Sequence, residues 1–468
     1  MNSEVKVFTR ENGEIQRVQT VRLDDWSQLD FLYLKQESFE EQIKALQCFC
    51  DIYKNYLVPF CPWIFPQMVM FCLPEDMDIS TYVEGTVESI SEEEERFIYD
   101  NNRYGKVTDS LTIATILLQE GIQLKGKKPI FKNEMAEKLY KELDARGCVR
   151  IVCGKFPKTK MIPVGRFAGY LSKVEMDAKL KANANFFIMD PFDCASVYDQ
   201  VGTPFGLCIK DGEVESPPLY SREALLVEQD GVSYISKKDI KDLMIEINDR
   251  TYLPGKNATI YTRPEKKISP EEKGLHVVIV GRSVVAVKKD GKAEIPASGY
   301  VMRVGKGANI SPGDKVSYHG LKDVKFGIQV GNSIIKKGVK TDRFISQFYD
   351  IYKLQRIPYP PSLYPMNFEK ARAARMAIGA DKEGKPVIFW AEGKGKLQYT
   401  PGKDCVGASL SEMADIAVEL GLRNAINLDG GGSAQILMDN ARSLHISDRN
   451  KEDNSDAERL VPFGIIVR

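Results

Sequence analysis

The sequence predicts an α+β protein in which a small α/β unit and a helical segment precede a large mixed β-sheet domain. The 468 residues are too many for one ordinary hydrophobic core, and a hydrophobic content of 43% is ordinary for a protein with real cores. Near Cys148 helical periodicity gives way to strand-like runs separated by turns. We therefore divide the chain into an α/β unit over 1–90, a helical linker or docking segment over 91–147, and the large domain over 148–468.

The first unit is predicted to open with a β-hairpin. Val5–Phe8 alternates, Glu11–Glu14 contains the turn signal Asn-Gly, and Ile15–Val21 returns. Ser38–Tyr56 has apolar residues at helical spacing, with Ser38 and Glu41 spaced as a capping box. Met68–Leu73 reads as a strand.

The segment over 91–147 is predicted to be helical. Ser91 and the four glutamates after it are typical of a helix start, and an acidic interaction patch is the alternative. Helical patterns continue over Leu111–Glu120 and Glu134–Leu143. Residues 1–147 are therefore candidates for docking a protein partner or a second copy of the chain.

Strands dominate the large domain, with one late helix over Ser409–Leu420 that ends at Gly421 as a C-cap. The strand-like runs are Val149–Cys153, Phe205–Ile209, Leu275–Val280, Ser283–Val287, Tyr300–Val304, Lys325–Val330 and Val387–Ala391.

Composition excludes several classes of function. With 65 basic and 65 acidic residues, the chain lacks the basic excess of a nucleic-acid-binding protein. The apolar stretch Tyr56–Leu73 contains three prolines, which favours buried strands, or an interfacial segment, over a transmembrane helix. The nine cysteines are irregularly spaced, only three histidines occur, and the N-terminus lacks a signal-peptide core, so we expect a reducing, cytoplasmic location.

The segment Asn427–Ser433, Asn-Leu-Asp-Gly-Gly-Gly-Ser, is the most informative part of the chain. Three glycines after an acid let the backbone approach a ligand closely; a tight turn is the alternative. A second glycine-rich run, Gly379–Lys385, fits the start of a phosphate-binding P-loop, but Pro386 follows where Ser or Thr is needed. We interpret that run as a hairpin turn.

Taken in order, several segments resemble the phosphodiester glycosidase family over about two-thirds of the chain, from near Cys148 to the end. The matching segments, besides Asn427–Ser433, are Asn183–Phe187, Gly202–Leu207, Asp211-Gly212, Arg375–Gly379, Gly407–Ala414 and Ser455–Arg459. The resemblance implies a hydrolase that cleaves a sugar-1-phosphodiester, such as a nucleotide sugar or a glycosylated phosphate, to free sugar and a phosphomonoester.

The resemblance also implies the site residues. The catalytic candidates are Asp429, Arg375 and Asn427. The substrate-binding candidates are Asn185, Gly430, Gly431, Gly432, Ser433, Arg459 and Glu392. The planar fork of an arginine suits a phosphate, and glycine amides can form an anion-binding nest.

Each candidate has a structural alternative. Asp429 can cap the glycine turn, Arg459 can form a surface salt bridge, and Ser433 can cap a helix. Glu392 is either a second acid or a solvated turn residue. No cofactor is required, and a divalent cation on the oxygen atoms of Asp429 and Asn427 stays open.

Three departures from the family pattern leave a second interpretation open. Asn183–Phe187 reads Asn-Ala-Asn-Phe-Phe where the family has Asn-Gly-Gly-Phe-Phe. Gln329–Asn332 replaces a Gly-Gly-Pro element, and Glu392–Lys394 replaces Asp-Gly-Arg. The alternative function is a catalytically altered module that binds or sequesters a phosphosugar or a nucleotide.

Overall fold

The computed structural model is mostly β-sheet. It describes residues 1–9, 14–33, 67–71, 121–125, 128–132, 134–146, 149–153, 170–187, 198, 203–341, 372–393, 403–449 and 453–468, apart from positions 175, 220–221, 264–265, 267, 322, 330, 454 and 460. Within these residues, no helix has both the length and the apolar character needed to cross a membrane.

The described strands are numbered in chain order. In the first half of the chain they are β1 (Asn2–Thr9), β2 (Ile15–Arg22), β3 (Leu29–Tyr33), β4 (Gln67–Phe71), β5 (Ile122–Lys125), β6 (Lys128–Phe131), β7 (Val149–Cys153), β8 (Leu180–Asn183), β9 (Cys208–Lys210), β10 (Glu213–Ser216), β11 (Arg222–Glu228) and β12 (Ser233–Lys238). In the second half they are β13 (Met244–Ile247), β14 (Arg250–Tyr252), β15 (Thr259–Thr262), β16 (Glu272–Val280), β17 (Ser283–Gly291), β18 (Gly299–Val304), β19 (Ser317–His319), β20 (Val324–Gln329), β21 (Ser333–Lys336), β22 (Val339–Lys340), β23 (Arg375–Asp381), β24 (Pro386–Ala391), β25 (Leu422–Asn427), β26 (Ile436–Met438), β27 (Ala441–Arg442) and β28 (Phe463–Val467).

Two α-helices lie in the described part of the chain, α1 (Glu134–Ala145) and α2 (Leu410–Glu419). Helix α2 begins with a capping box, because Ser409 N–H donates to Glu412 Oε2 (2.9 Å) and Glu412 N–H donates to Ser409 Oγ (3.2 Å). It ends before Gly421, whose φ of +74° suits a glycine C-cap. Both ends of this helix were therefore predictable from the sequence.

Two antiparallel sheets enclose the main core. Among the described residues, the first has the strand order β1-β2-β24-β23-β25-β21-β22 and the second the order β27-β26-β8-β28-β3. Side chains from both sheets, such as Trp390, Ile426 and Phe463, form one buried cluster between them. The other face of the first sheet packs against α2, where Phe389 and Ala425 contact Met413 and its neighbours. Strand β25 is therefore covered on both faces.

A second hydrophobic core is formed by residues that lie, in the sequence, between the strands of these two sheets. Strands β9 to β20 form three further sheets, and apolar residues between Leu207 and Val324 make one buried cluster. The hydroxyl groups of Tyr300 and Tyr318 meet in that cluster at 3.3 Å. Strand β11 belongs to this region, yet its Leu225 and Val227 face the main core. The two cores are thus joined through one shared sheet.

The first 33 residues belong to the same sheets as the C-terminal strands, which corrects the expected separate unit over 1–90 for this part. Strand β2 pairs with β24 and β3 pairs with β28, both antiparallel. Strand β4 pairs with β7, across the predicted boundary at residue 90. These pairings were not predictable, because backbone pairing over such separations leaves no local pattern in the sequence.

Several predicted elements are confirmed. Strands β1 and β2 form the N-terminal hairpin, and Asp211 and Gly212, both at positive φ, make the tight turn between β9 and β10. The run that resembles a P-loop is the turn between β23 and β24, as interpreted from Pro386. The predicted helices over 38–56, 91–95 and 111–120 lie outside the described residues.

Candidate functional site

The glycine-rich segment leaves the end of the buried strand β25. The last residue of that strand, Asn427, is paired with Ala377 of β23. Arg375 begins β23 two residues earlier, so alternation along the strand puts Arg375 and Asn427 on the same face of the sheet. The predicted arginine, amide and acid therefore meet at one end of the central strands.

Backbone contacts hold the Asp429 loop from two sides. Asp429 N–H donates to the carbonyl of Ala184 (3.1 Å), and Asn183 Nδ2 donates to the carbonyl of Asp429 (2.7 Å). Gln435 N–H donates to Asn183 Oδ1 (3.0 Å). On the other side, Gly431 N–H donates to the carbonyl of Ala374 (2.7 Å). The loop carrying Asp429 is thus fixed between β8 and β23.

The three glycines each have a different structural cause. A Cβ at Gly430 would lie 2.7 Å from the carbonyl oxygen of Ala374. Gly431 has a φ of +57°, and a Cβ there would meet nothing within 4 Å, so this residue faces open space. A Cβ at Gly432 would overlap Asp448 Oδ2 and Arg459 Nη2. The positive φ therefore explains Gly431, whereas the other two glycines are required by internal packing.

The loop differs from the predicted anion-binding nest. Gly430 N–H donates to the Asp429 side chain (2.8 Å) and Gly431 N–H donates to Ala374. Two of the three glycine amides are thereby used inside the protein. These two amides are therefore not available to bind an anion.

Asp429 is the carboxylate at the centre of this site. It keeps some exposure to solvent, but protein atoms surround its carboxyl group, and this burial raises the pKa to about 6. A hydrogen bond from Ser433, the charge of Arg459, the Gly430 amide and the charge of Arg375 each oppose that rise in pKa. Asp429 is therefore ionised at neutral pH and protonated in mild acid.

Arg375 lies beneath the loop, with 1% of its surface exposed. Its Nε donates to the carbonyl of Ala408 (3.1 Å). Burial lowers the pKa of Arg375 to about 10, while the negative charges of Asp429 and Glu412 oppose the shift. The guanidinium thus carries its charge across the physiological range, close to Asp429.

Arg459 forms an ion pair, as predicted by the alternative to a substrate-binding role, but the pair is largely buried instead of lying at the surface. Its Nε donates to Asp448 Oδ2 (3.0 Å) and its Nη2 donates to Asp448 Oδ1 (3.2 Å). The side chains of Arg459 and Asp448 are only 11% and 4% exposed. The pair lies against Gly432, so Arg459 borders the loop from below.

The two asparagines differ from their predicted roles in different ways. Asn185 Nδ2 donates to the carbonyl of Phe205 (2.7 Å) and its Oδ1 accepts from Phe186 N–H (3.0 Å), so its side chain holds the backbone around Phe205. Asn427 Nδ2 donates to the carbonyl of Leu428 (2.8 Å). Its Oδ1 is buried without a protein partner among the described residues. Asn427 thus offers a buried acceptor beside the loop, whereas Asn185 shapes a neighbouring turn.

Glu392 is neither a solvated turn residue nor a partner of Asp429. Its carboxylate accepts two hydrogen bonds from Arg17, from Nε (2.6 Å) and Nη2 (2.9 Å). The Glu392 side chain is 4% exposed. The buried thiol of Cys405 accepts from Arg17 N–H (3.1 Å), and burial followed by the nearby charge of Glu392 raises the pKa of that thiol to about 12. Glu392 therefore belongs to a structural cluster with the N-terminal hairpin.

Sequence reasoning missed Asn183 and Asp448. Asn183 lies within a family-like segment from which only Asn185 was predicted; both positions carry an amide, and only the strand contacts show which one holds the loop. Asp448 has no pattern around it that predicts its pairing with Arg459. In the described part of the chain, no group of three or more His, Cys, Asp or Glu side chains is arranged to hold a metal ion, so a cation at Asp429 and Asn427 stays a prediction.

Residues 256–468 match the family model described as phosphodiester glycosidase. This part, a little under half of the chain, is similar to the phosphodiester glycosidase family. The matched residues contain Arg375, Asn427, Asp429 and Arg459, but β1, β2, β3 and β8, which complete the two main sheets, lie before them.

Curated relatives match a shorter part of the chain. N-acetylglucosamine-1-phosphodiester alpha-N-acetylglucosaminidase from Mus musculus is 34% identical over 100 residues, which are 21% of this chain and 18% of that protein. The Homo sapiens protein of the same name is 35% identical over the same shares. The match therefore spans less than a fifth of the length of these relatives.

Solved structures similar to the chain include a putative exported protein from Burkholderia pseudomallei, with a TM-score of 0.41 and 13% identity over 100% of this chain and 96% of that one. The zebrafish N-acetylglucosamine-1-phosphodiester alpha-N-acetylglucosaminidase catalytic domain, auto-inhibited by its pro-peptide, has a TM-score of 0.33 and 13% identity over 64% of this chain and 67% of that one.

Proposed function

We propose that the protein hydrolyses the glycosidic bond of a sugar-1-phosphodiester, releasing free sugar and a phosphomonoester, with Asp429 as the working carboxylate. The observation that carries this proposal is the placement of Asp429. Its carboxyl group, held by a pinned loop and partly open to solvent, lies within electrostatic reach of two largely buried arginines, Arg375 and Arg459.

The reaction suits such a site. Cleavage of the bond between the anomeric carbon and the phosphate oxygen produces a phosphomonoester, which leaves readily because it bears the negative charge itself. Water supplies the hydroxyl group of the free sugar and gives up a proton. The protein must stabilise the departing phosphate, support positive charge on the sugar and direct the water.

The described side chains divide this work by charge. Arg375 stays cationic at neutral pH and provides a positive field for the phosphate. Ionised Asp429 stabilises the cationic sugar carbon or accepts the proton of the attacking water. Asn427 Oδ1, which has no protein partner in the described region, is an acceptor for a sugar hydroxyl or for that water.

The test is product analysis with purified protein. A panel of sugar-1-phosphodiesters and nucleotide sugars is incubated with and without a divalent cation, and free sugar and phosphomonoester are both quantified. The proposal expects equal amounts of the two products from at least one substrate. It also expects Asp429→Asn to remove this activity, while Asp415→Asn, a helix substitution whose native side chain is 63% exposed, leaves it intact.

The outcomes of this product analysis distinguish an enzyme from a binding module. Tight binding of panel members without products in any condition contradicts hydrolysis and supports a sequestering protein. Turnover that persists in Asp429→Asn contradicts the role assigned to Asp429. Activity that appears only with the added cation supports a metal-dependent form of the same reaction.

A further inference from the structure

The ion pair beneath the glycine loop connects the C-terminal turn to the proposed working carboxylate. Asp448 holds the guanidinium of Arg459 through both Nε and Nη2, which fixes the plane of the group. The pair occupies the space that a side chain at position 432 would fill. The third glycine of the segment is therefore explained by this pair.

The surrounding backbone brings these two residues together across eleven positions of sequence. Ala457 N–H donates to the carbonyl of Asp448 (2.9 Å), and Arg449 and Asp456 form an isolated antiparallel bridge. Arg449 and Asp456 also form a second ion pair in the same short ladder. The ladder thus presents two ion pairs, and the Asp448–Arg459 pair is the one that lies against Gly432.

The charged and polar side chains that face Asp429 come from separate elements. Arg375 lies on β23, Arg459 lies in the C-terminal turn, and Ser433 follows the glycines. Arg375 is held by the sheet itself. Arg459 has a long flexible side chain, and Asp448 binds its guanidinium beside the loop.

We infer that Asp448 is a positioning residue, which holds Arg459 against the glycine loop and so fixes a positive charge beside Asp429. This inference rests on the proposed function for its catalytic meaning. Its physical content, a charge held beside Asp429, is measurable without a substrate.

The direction in which the pKa of Asp429 shifts in Asp448→Asn distinguishes loss of positioning from simple removal of a charge. If Asp448→Asn lets Arg459 leave the loop, Asp429 loses a favourable positive charge and its pKa rises. If Arg459 stays in place, it is less neutralised, and the pKa of Asp429 falls. A pair that only stabilises the fold leaves that pKa unchanged.

The experiment titrates the Asp429 carboxyl carbon by NMR in protein with labelled aspartate, with Asp429→Asn identifying the signal. We expect Asp448→Asn and Arg459→Gln each to raise the pKa of Asp429 by about one unit, the lower end of the effect of a close opposite charge. The double variant should raise the pKa of Asp429 no more than Arg459→Gln alone, because Asp448 acts through Arg459. Gly432→Ala should raise the pKa in the same direction by displacing the pair.

The matched control is Asp456→Asn, which breaks the other ion pair of the ladder and should leave the Asp429 titration unchanged. If the single variants fail to fold, the titration of Asp429 is compared between wild type and the double variant, which buries no unpaired charge. Asp429→Asn again identifies the signal. An unchanged or lowered pKa in Asp448→Asn overturns the inference, as does an equal shift in Asp456→Asn.

The same variants separate this inference from the proposed function. Where substrate turnover is present, the acid limb of its pH profile should move upward with the pKa in Asp448→Asn, and kcat should fall more than KM changes. A shifted titration with no turnover in wild type contradicts the proposed hydrolysis and leaves the positioning intact. Normal turnover and an unshifted titration in Asp448→Asn contradict the positioning alone.

Discussion

Asp429 and Glu392 are two acids that follow β25 and β24, the two strands on either side of β23, and their surroundings differ. Glu392 is closed by two hydrogen bonds from Arg17 and lies almost fully buried. Asp429 keeps some exposure, and its pKa is raised to about 6 because burial outweighs the arginines near it. A carboxylate that is hydrogen-bonded directly to an arginine has a structural role. A carboxyl group that only lies near arginines, and whose pKa is raised, can take up and release a proton.

The largest expected effect is on turnover. Asp429→Asn should lower kcat by about 10³-fold or more, the scale on which loss of a catalytic charge acts. Glu392→Gln should retain turnover in the folded fraction, because its carboxylate is bound to Arg17. Rates normalised to folded protein check this pair. Similar losses in both variants would end the distinction between the two acids.

The next largest effect is on the free energy of unfolding and concerns Glu392. Arg17→Met leaves Glu392 buried without its partner, which should lower the free energy of unfolding by about 3 kcal/mol. Urea denaturation measures the loss, with Lys6→Met on the exposed neighbouring strand as the matched control. A loss no larger than that of the control contradicts a structural role for the Arg17–Glu392 pair.

At Asp429 we expect a smaller change in the free energy of unfolding, and of opposite sign. Because its folded pKa lies near 6, above the ordinary 3.8, the folded state binds more protons than the unfolded state between these values. The free energy of unfolding therefore falls as pH rises from about 4 to about 6. Asp429→Asn should be more stable than wild type at pH 7 by about 2 kcal/mol, which is a shift of about two units less the lost hydrogen bonds to Gly430 and Ser433.

The check is the same denaturation series at neutral pH and near pH 4, where the variant should no longer be more stable than wild type. A variant less stable than wild type at neutral pH would show that Asp429 resembles Glu392 and is held in a favourable ion pair.

Local features of this fold were predictable from the sequence. The capping box at Ser409, the turn at Asp211-Gly212 and the hairpin over the P-loop-like run depend on residues within a few positions of one another. Asp429, Arg375 and Asn427 were placed together by the order of family-like segments, and the structure brings them to one end of the central strands.

Contacts between distant segments could not be predicted. The Arg17–Glu392 and Asp448–Arg459 pairs, and the pairing of β2 with β24, depend on which strands become neighbours. The sequence shows an acid or an arginine but not its partner, so Glu392 and Asn185 were assigned to the site and Asp448 was not. The cytoplasmic location, the divalent cation and a partner at residues 1–147 stay predictions.

The decisive measurement for the role of Asp429 is the pH dependence of kcat/KM for wild type, on whichever phosphodiester of the panel is cleaved. We predict that the rate rises with pH through about 6, as Asp429 loses its proton, and that Asp429→Asn abolishes this rise together with the activity. A profile that is flat between about pH 4 and about pH 8, or one that Asp429→Asn leaves unchanged, would contradict this role.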